Sequence, residues 1–289
     1  MSRRNEGKLR PTSERGTGSM VRLLQHHKEF QECVRIQEEV WGDAFAGTVP
    51  ASLLQAGQKV GAIVGGAFCR ESAVLQGFVF GLSGPRKGQV THWSHMLAVL
   101  PKFRGQGIGQ RLKRAQRGWA LRQGIREMRW TFDPLVAGNA KFNMNLIGVS
   151  IESYEPDMYG DTASDLHAFG TDRVIACWNL RRDPEGVEAP VVSDTDASDF
   201  PYVNVSSKGI PSIQEGIIGA QTARVRIGIP SDIVGLHRVD PEGALRWRHA
   251  TRAAFLECLQ AGFVVGGFAA GGETRLPFYL LRRNASNLK

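Results

Sequence analysis

Apolar and polar positions along this chain follow two periods, one helical and one of two residues. Between His27 and Trp41, apolar residues fall at Phe30, Cys33, Val34, Val40 and Trp41, which predicts a helix. "VRLL" (Val21–Leu24) reads as a strand before it, and "PASLLQAGQ" as a second helix opened by Pro50. Two strands follow, "GAIVGGAFC" and "VLQGFVFGLSG", with turn residues between and after them. "THWSHMLAV" is the next strand. It ends before Pro101, which has no N–H to give to a central ladder.

From Gly107 the period becomes helical again. Ile108, Leu112, Ala115 and Trp119 form an apolar stripe, the basic side chains are expected off it, and Gly124 closes the helix. "EMRWTF" is a strand stopped by Asp133–Pro134, and Asn139–Leu146 a short helix ending at Gly148. "VSIESYEP" and "DRVIACWNL" are two further strands. A stretch rich in Pro, Gly, Ser and Asp follows, read as a linker or surface excursion. Beyond it, "ARVRIGIP", "FVVGGFAA" and "LPFYLL" are strands, and "PEGALRWRHATRAAFLECLQAG" is a helix closed by Gly262. Its apolar positions, Leu245, Ala253, Phe255, Leu256 and Leu259, predict the packed side. Arg246, Arg248, His249 and Arg252 form either a solvated basic face or a cover over an acceptor cleft that selects an anion.

Composition adds limits to this pattern. The chain has 289 residues, 42% hydrophobic and 22% charged, as expected of a folded globular protein of one large or two modest domains. Its formal net charge is +8, and from Lys102 to Arg129 nine Lys or Arg face one acid, Glu127. An anionic ligand or a solvated helix face accounts for such a run. Nucleic acid is disfavoured as a partner, since aromatic stacking patches and reader motifs are lacking. Cys33, Cys69, Cys177 and Cys258 stand far apart in apolar surroundings, without zinc spacing. Free thiols, no metal and a cytoplasmic setting are therefore expected. No apolar run approaches the ~18 residues of a membrane span, so no membrane is expected as a partner. Residues 1–20 are expected as a disordered basic tail, or as an over-long start with Met20 as the true beginning.

The chemistry concentrates in "LAVLPKFRGQGIGQRLKRAQ", Leu97–Gln116. Gly105, Gly107 and Gly109 fail the G-x-G-x-x-G spacing because position 110 is Gln, and no Walker A string occurs. What remains is R-x-x-G-x-G after a strand and at the start of a helix. Glycines let backbone approach an anion, and the unpaired N–H groups and dipole of a helix start favour negative charge. A pyrophosphate fits; a bare strand-to-helix turn is the competing account.

This stretch resembles motif A of the Gcn5-related N-acetyltransferase (GNAT) superfamily, and the order of elements from Val21 to Leu180 resembles its fold. "WTFDPLVAGNAKFN", "YEPDMYG" and "TDRVIACW" are similar to a bacterial group of predicted acetyltransferases with a C-terminal extension. The resemblance implies an α/β (α+β) fold, a mixed, largely antiparallel sheet flanked by helices, plus a smaller C-terminal α/β unit. Together with the composition and pattern above, the expected division is a tail at 1–20, an acyl-CoA-binding domain at 21–183, a linker at 184–205 and a small C-terminal domain at 206–289.

The implied activity moves an acetyl group from acetyl-CoA, or another acyl-CoA, directly to the amine of a small molecule. The alternatives are a processor of other acyl-CoA thioesters and a non-catalytic acyl-CoA-binding module. By the same resemblance, Leu97, Ala98 and Val99 bulge and aim an N–H at the thioester carbonyl. Arg104, Gly105, Gln106, Gly107, Ile108, Gly109 and Gln110 cradle the phosphates, Asn139 contacts the cofactor arm, and Lys102 and Arg111 are candidates for the outer phosphate. Many members carry a tyrosine acid four residues before the glycine that ends the short helix. Here that position is Met144. Tyr154 and Tyr159 are the replacement acids considered, each otherwise a packed aromatic. His92, His95 and Asp133 are the bases considered, with Asp133 better suited to ordering its turn than to catalysis.

Overall fold

The computed structural model describes residues 18–43, 45–160, 169–182, 200–272 and 275–283. Most of the expected tail (1–17) and of the expected linker (184–199) lies outside the described residues.

Strands β1 (Ser19–Leu23), β2 (Ile63–Cys69), β3 (Leu75–Arg86), β4 (Gln89–Val99), β5 (Glu127–Phe132), β6 (Ser150–Glu155) and β7 (Arg173–Asn179) form one sheet in the order β1-β2-β3-β4-β5-β7-β6. Every pairing is antiparallel except β4 with β5. The reason is connectivity: helix α3 (Ile108–Arg122) carries the chain from the end of β4 back to the start of β5, and such a crossover delivers a parallel neighbour.

Helices α1 (His27–Trp41) and α2 (Ala51–Lys59) cover one face of this sheet. Phe30, Cys33, Ile36 and Leu54 pack there on Phe78, Phe80, Met96 and Ala98. On the other face Ile108 and Leu112 of α3 pack on Ala67, Val79, Leu97 and Val99. The chain then forms the one-turn helix α4 (Ala137–Ala140), which widens into a π-helical segment, Lys141–Ile147, closed by Gly148 at φ 77°.

The C-terminal region holds β8 (Arg224–Gly228), α5 (Ile233–Val239), α6 (Pro241–Gln260), β9 (Phe263–Ala269) and β10 (Phe278–Arg283), its sheet ordered β8-β10-β9. The two sheets share one core: Trp130, Phe132 and Val174 belong to the same cluster as Val225, Phe255 and Tyr279. Strand β9 meets β6 and the π-helical segment.

Two expectations about helix faces are corrected. The buried stripe of α6 is Ala244, Trp247, Arg248, Thr251, Ala254, Phe255 and Cys258, while Leu245, Ala253 and Leu256 are exposed. Phe255 and Leu259 pack as expected, and Arg248 lies on the packed side, where it pairs with Asp133. On α3, Lys113 is 2% exposed and not on the solvated face. The four cysteines are free, as expected. Among the described residues no helix is long and apolar enough to cross a membrane.

Candidate active site

Strand β4 runs through Leu100 into a 3₁₀ turn, Pro101–Phe103, and the chain enters α3 through Gly105 (φ 76°) and Gly107 (φ 72°). Both lie in the left-handed region that glycine adopts without a Cβ penalty, and open space surrounds the Cβ direction of each. Gly107 is the N-cap, no side chain caps this terminus, and the first bond into the helix runs from Arg111 N to Gly107 O at 3.1 Å. The N–H groups of Ile108, Gly109 and Gln110 therefore point out of the helix start without an intrahelical acceptor.

Around them, Arg104 is exposed, and its Nε donates to Val99 O at 3.2 Å. Gln110 Nε2 donates to Leu146 O at 3.2 Å and ties α3 to the π-helical segment. Lys102 is exposed at this mouth. Arg111 leans back to β1, with Nη2 3.2 Å from Ser19 Oγ. Asn139 is exposed on α4, and its carbonyl accepts from Asn143 Nδ2 at 2.8 Å.

Strands β4 and β5 pair over one short stretch, His92 opposite Met128 and Trp93 opposite Arg129. From Ser94 onward β4 has no β5 partner, so the sheet opens into a cleft whose floor lies at Ser94 and Trp130. The register of β4 against β3 slips there: Ser94 pairs with Gly81 and Met96 with Phe80, leaving His95 as the extra residue. Leu97, Ala98 and Val99 pair in regular register with Val79, Phe78 and Gly77. This corrects the bulge expected at Leu97–Val99: the distortion sits two residues earlier, next to the point where β5 leaves.

The face opposite α3 carries several of the candidate residues. His95 is exposed and meets Phe80 edge-on, ring centroids 5.9 Å apart, and partial burial lowers its pKa. Thr131 follows Trp130 on β5 and so faces away from α3. Its hydroxyl is 2.9 Å from Tyr159 Oη, and Arg173 stands over the Tyr159 ring.

Asp133 is buried. Its Oδ1 accepts from Leu135 N at 2.9 Å, as a turn-ordering aspartate does, and its Oδ2 accepts from Arg248 Nη2 at 2.6 Å. Tyr154 is also buried, stacked on Phe255, and donates to Asp172 Oδ2 at 2.5 Å. Burial and the Asp172 charge push its pKa upward. Arg252 closes this group by pairing with Asp172 and Asp157. Asp133 and Tyr154 are thus held in contacts that join α6 to the large sheet. His95 and Tyr159 are exposed on the face opposite α3.

On the α3 side lies a buried polar chain that sequence reasoning missed. Ser83 Oγ is 2.9 Å from His92 Nδ1, His92 Nε2 is 3.0 Å from Gln116 Nε2, and Ser94 Oγ donates to Gln116 Oε1 at 2.9 Å. Lys113 Nζ donates to Ser94 Oγ at 2.7 Å and lies 3.6 Å from the centre of the Trp130 ring. Trp130 Nε1 in turn donates to Asn143 Oδ1 at 2.8 Å. Burial, and then the charge of Lys113, lower the His92 pKa to about 4; burial pushes the Lys113 amine well below the ordinary lysine value. A signal was present in the sequence: Lys113, Gln116 and Ala120 share one helical face, adjoining Leu112. Among the described residues no group of three or more His, Cys, Asp or Glu is placed to hold a metal ion.

Residues 19–142 match the acetyltransferase (GNAT) family. No curated protein sequence matches the chain. Among solved structures, an N-acetyltransferase from Staphylococcus aureus is 14% identical with a TM-score of 0.46, covering 57% of this chain and 100% of its own. The ribosomal-protein-S18-alanine N-acetyltransferase from Escherichia coli is 13% identical with a TM-score of 0.43, covering 58% and 98%. Naa50 from Arabidopsis thaliana, solved with a bisubstrate analogue, is 14% identical with a TM-score of 0.45, covering 56% and 99%. The family match covers residues 19–142, the segment that carries the glycine turn and the strand opening, and an additional C-terminal region follows it.

Proposed function

We propose that the protein transfers an acetyl group from acetyl-CoA directly to the amine of a small molecule. One observation carries the reading: the uncapped, glycine-entered N-terminus of α3 adjoins the unpaired edge of β4. The first offers N–H groups and a favourable dipole to a pyrophosphate. The second offers backbone groups to the amides of an extended arm, as a sheet edge does to an added strand. The Gly105 and Gly107 positions leave room for that approach.

In this reading Arg104–Gln110 hold the phosphates, Leu97–Val99 line the arm, and Asn139 meets it from α4. The backbone beside the His95 bulge offers an N–H to the oxyanion that forms on the attacked carbonyl. His95 takes the proton of the acceptor amine, and Tyr159 orients that acceptor from the same face. The domain reading, a 21–183 acyl-CoA unit with a 206–289 companion, goes with it. The companion narrows the acceptor side, since α6 supplies Arg248 and Arg252 to the groups around Asp133 and Asp172.

The test is calorimetric titration with CoA, followed by acetyl-CoA assays against an amine panel. Sub-millimolar binding is expected, weakened at least tenfold in Gly107→Ala, whose Cβ would strain a φ of 72° and crowd the phosphate approach. Absence of CoA binding overturns the reading. Binding without thiol release for any acceptor supports the non-catalytic module instead, a reading favoured by the structural engagement of Asp133 and Tyr154. A larger response with longer acyl-CoAs points to other thioesters as donors.

A further inference from the structure

We propose that Lys113 is the group that protonates the departing thiolate, acting from the floor of the β4–β5 cleft in place of the tyrosine absent at Met144. This rests on the acetyl-CoA reading above.

The argument is one of sides. The N-terminus of α3, where the phosphates bind, lies on the face of the sheet that α3 covers. A donor held there brings its sulfur into the cleft from that face. The acceptor approaches from the opposite face, where His95 and Tyr159 stand. The acid for the sulfur must therefore be on the α3 side, and Tyr159 is on the wrong one. Tyr154 has its proton committed to Asp172. Met144 has no proton to give.

Lys113 meets the positional requirement. Its amine bridges Ser94 of β4 and Trp130 of β5, the first residues past the last parallel pair. An ammonium has three donors, of which Ser94 Oγ uses one. The face of Trp130 stabilises the charged form without removing a proton. The groups facing the amine are Gln116 on its own helix, Ser94 and the titratable His92 on β4, and Trp130 on β5, which is itself tied to Asn143. Among the described residues no carboxylate pairs with it. Burial lowers the pKa of the amine, which makes its proton easier to give to a departing thiolate.

The step balances as follows. The acceptor nitrogen, freed of one proton by His95, bonds to the thioester carbon. When the tetrahedral species collapses, the C–S bond breaks and its electron pair goes to sulfur. Sulfur takes a proton from Lys113, leaving a neutral amine. The second proton of the acceptor nitrogen and the one held by His95 pass to solvent, which reprotonates Lys113 before the next turnover.

Two readouts test this, one of them independent of turnover. The thiol of bound CoA is titrated by its thiolate absorbance. An ammonium beside the sulfur lowers that titration below the free value, and Lys113→Met returns it to the free value or above. In the acetyl-transfer assay Lys113→Met is expected to lose about 10²-fold or more in kcat, together with the alkaline limb of the kcat profile, while CoA affinity stays within a few-fold. Lys113→Arg retains the lowered thiol titration. An unshifted thiol in the wild-type protein overturns the proposal without any variant, should Lys113→Met not fold. Unchanged kcat in Lys113→Met also overturns it, and in both cases CoA binding and acetyl transfer by the wild type remain. Failure of the wild type to bind CoA is a failure of the underlying reading.

Discussion

Arg248 on α6 and Asp133 at the end of β5 form a buried ion pair, 2.6 Å from Nη2 to Oδ2, across 115 residues of sequence. Arg248 Nε also donates to Phe169 O at 2.9 Å, so one side chain fastens the C-terminal helix to two loops of the large sheet. Removing the cation leaves Asp133 buried with Leu135 N and a distant Arg173 as partners. Arg248→Met is expected to cost about 3–5 kcal/mol, the usual penalty for orphaning a buried charge. Adding Asp133→Asn should recover a large part of it. Urea unfolding of the two variants decides the matter: a loss under ~1 kcal/mol in the single variant refutes the role given to this pair.

Acid stability is expected to fall in two separate legs. His92 titrates near 4 when folded, against an ordinary 6.5, because burial and Lys113 disfavour its cation. A depressed folded value contributes stability above pH 6.5 that is lost as the pH falls toward about 4. Glu29 is held near 2, against an ordinary 4.5, chiefly by its hydrogen bond from Arg22. Its contribution is present above pH 4.5 and is lost between there and about 2. Free energies of unfolding measured across pH 2–7 should show His92→Gln flattening the upper leg and Arg22→Gln the lower. Coincident behaviour of the two variants contradicts this assignment.

The two tyrosines are expected to separate by what they affect. Tyr154→Phe removes the 2.5 Å bond to Asp172 and should destabilise by roughly 1.5–3 kcal/mol, the range for hydrogen bonds to charged groups. Tyr159 is 42% exposed, and Tyr159→Phe should leave stability within about 0.5 kcal/mol while lowering acetyl transfer. Neither change should alter CoA affinity more than a few-fold. Thermal melts and steady-state rates, measured side by side, test the division. A stable, inactive Tyr154→Phe would reverse it.

Much of this is legible in the sequence alone. The strand EMRWTF and the helix His27–Trp41 have the bounds that period and punctuation predict, because both are local properties of the chain. The glycine turn was legible for the same reason: positive φ at Gly105 and Gly107 is a demand that local sequence advertises. The exclusion of nucleotide motifs also needed nothing beyond spacing.

Other features belong to no single segment. The bulge at His95 depends on the register of β4 against β3 and on where β5 departs, so Leu97–Val99 was a reasonable but displaced expectation. Asp133 orders its turn, as its place before Pro134 suggests, but its pairing with Arg248, far along the chain, is invisible locally. Lys113 looked like one more solvated cation in a basic run. Its amine is buried because β4 and β5 diverge beneath α3 and leave a polar gap that Ser94, Gln116 and Trp130 line. Local sequence determined the elements and the anion-binding turn. Tertiary structure decided which charged groups lost their water, because desolvation depends on neighbours that only the assembled sheet brings together.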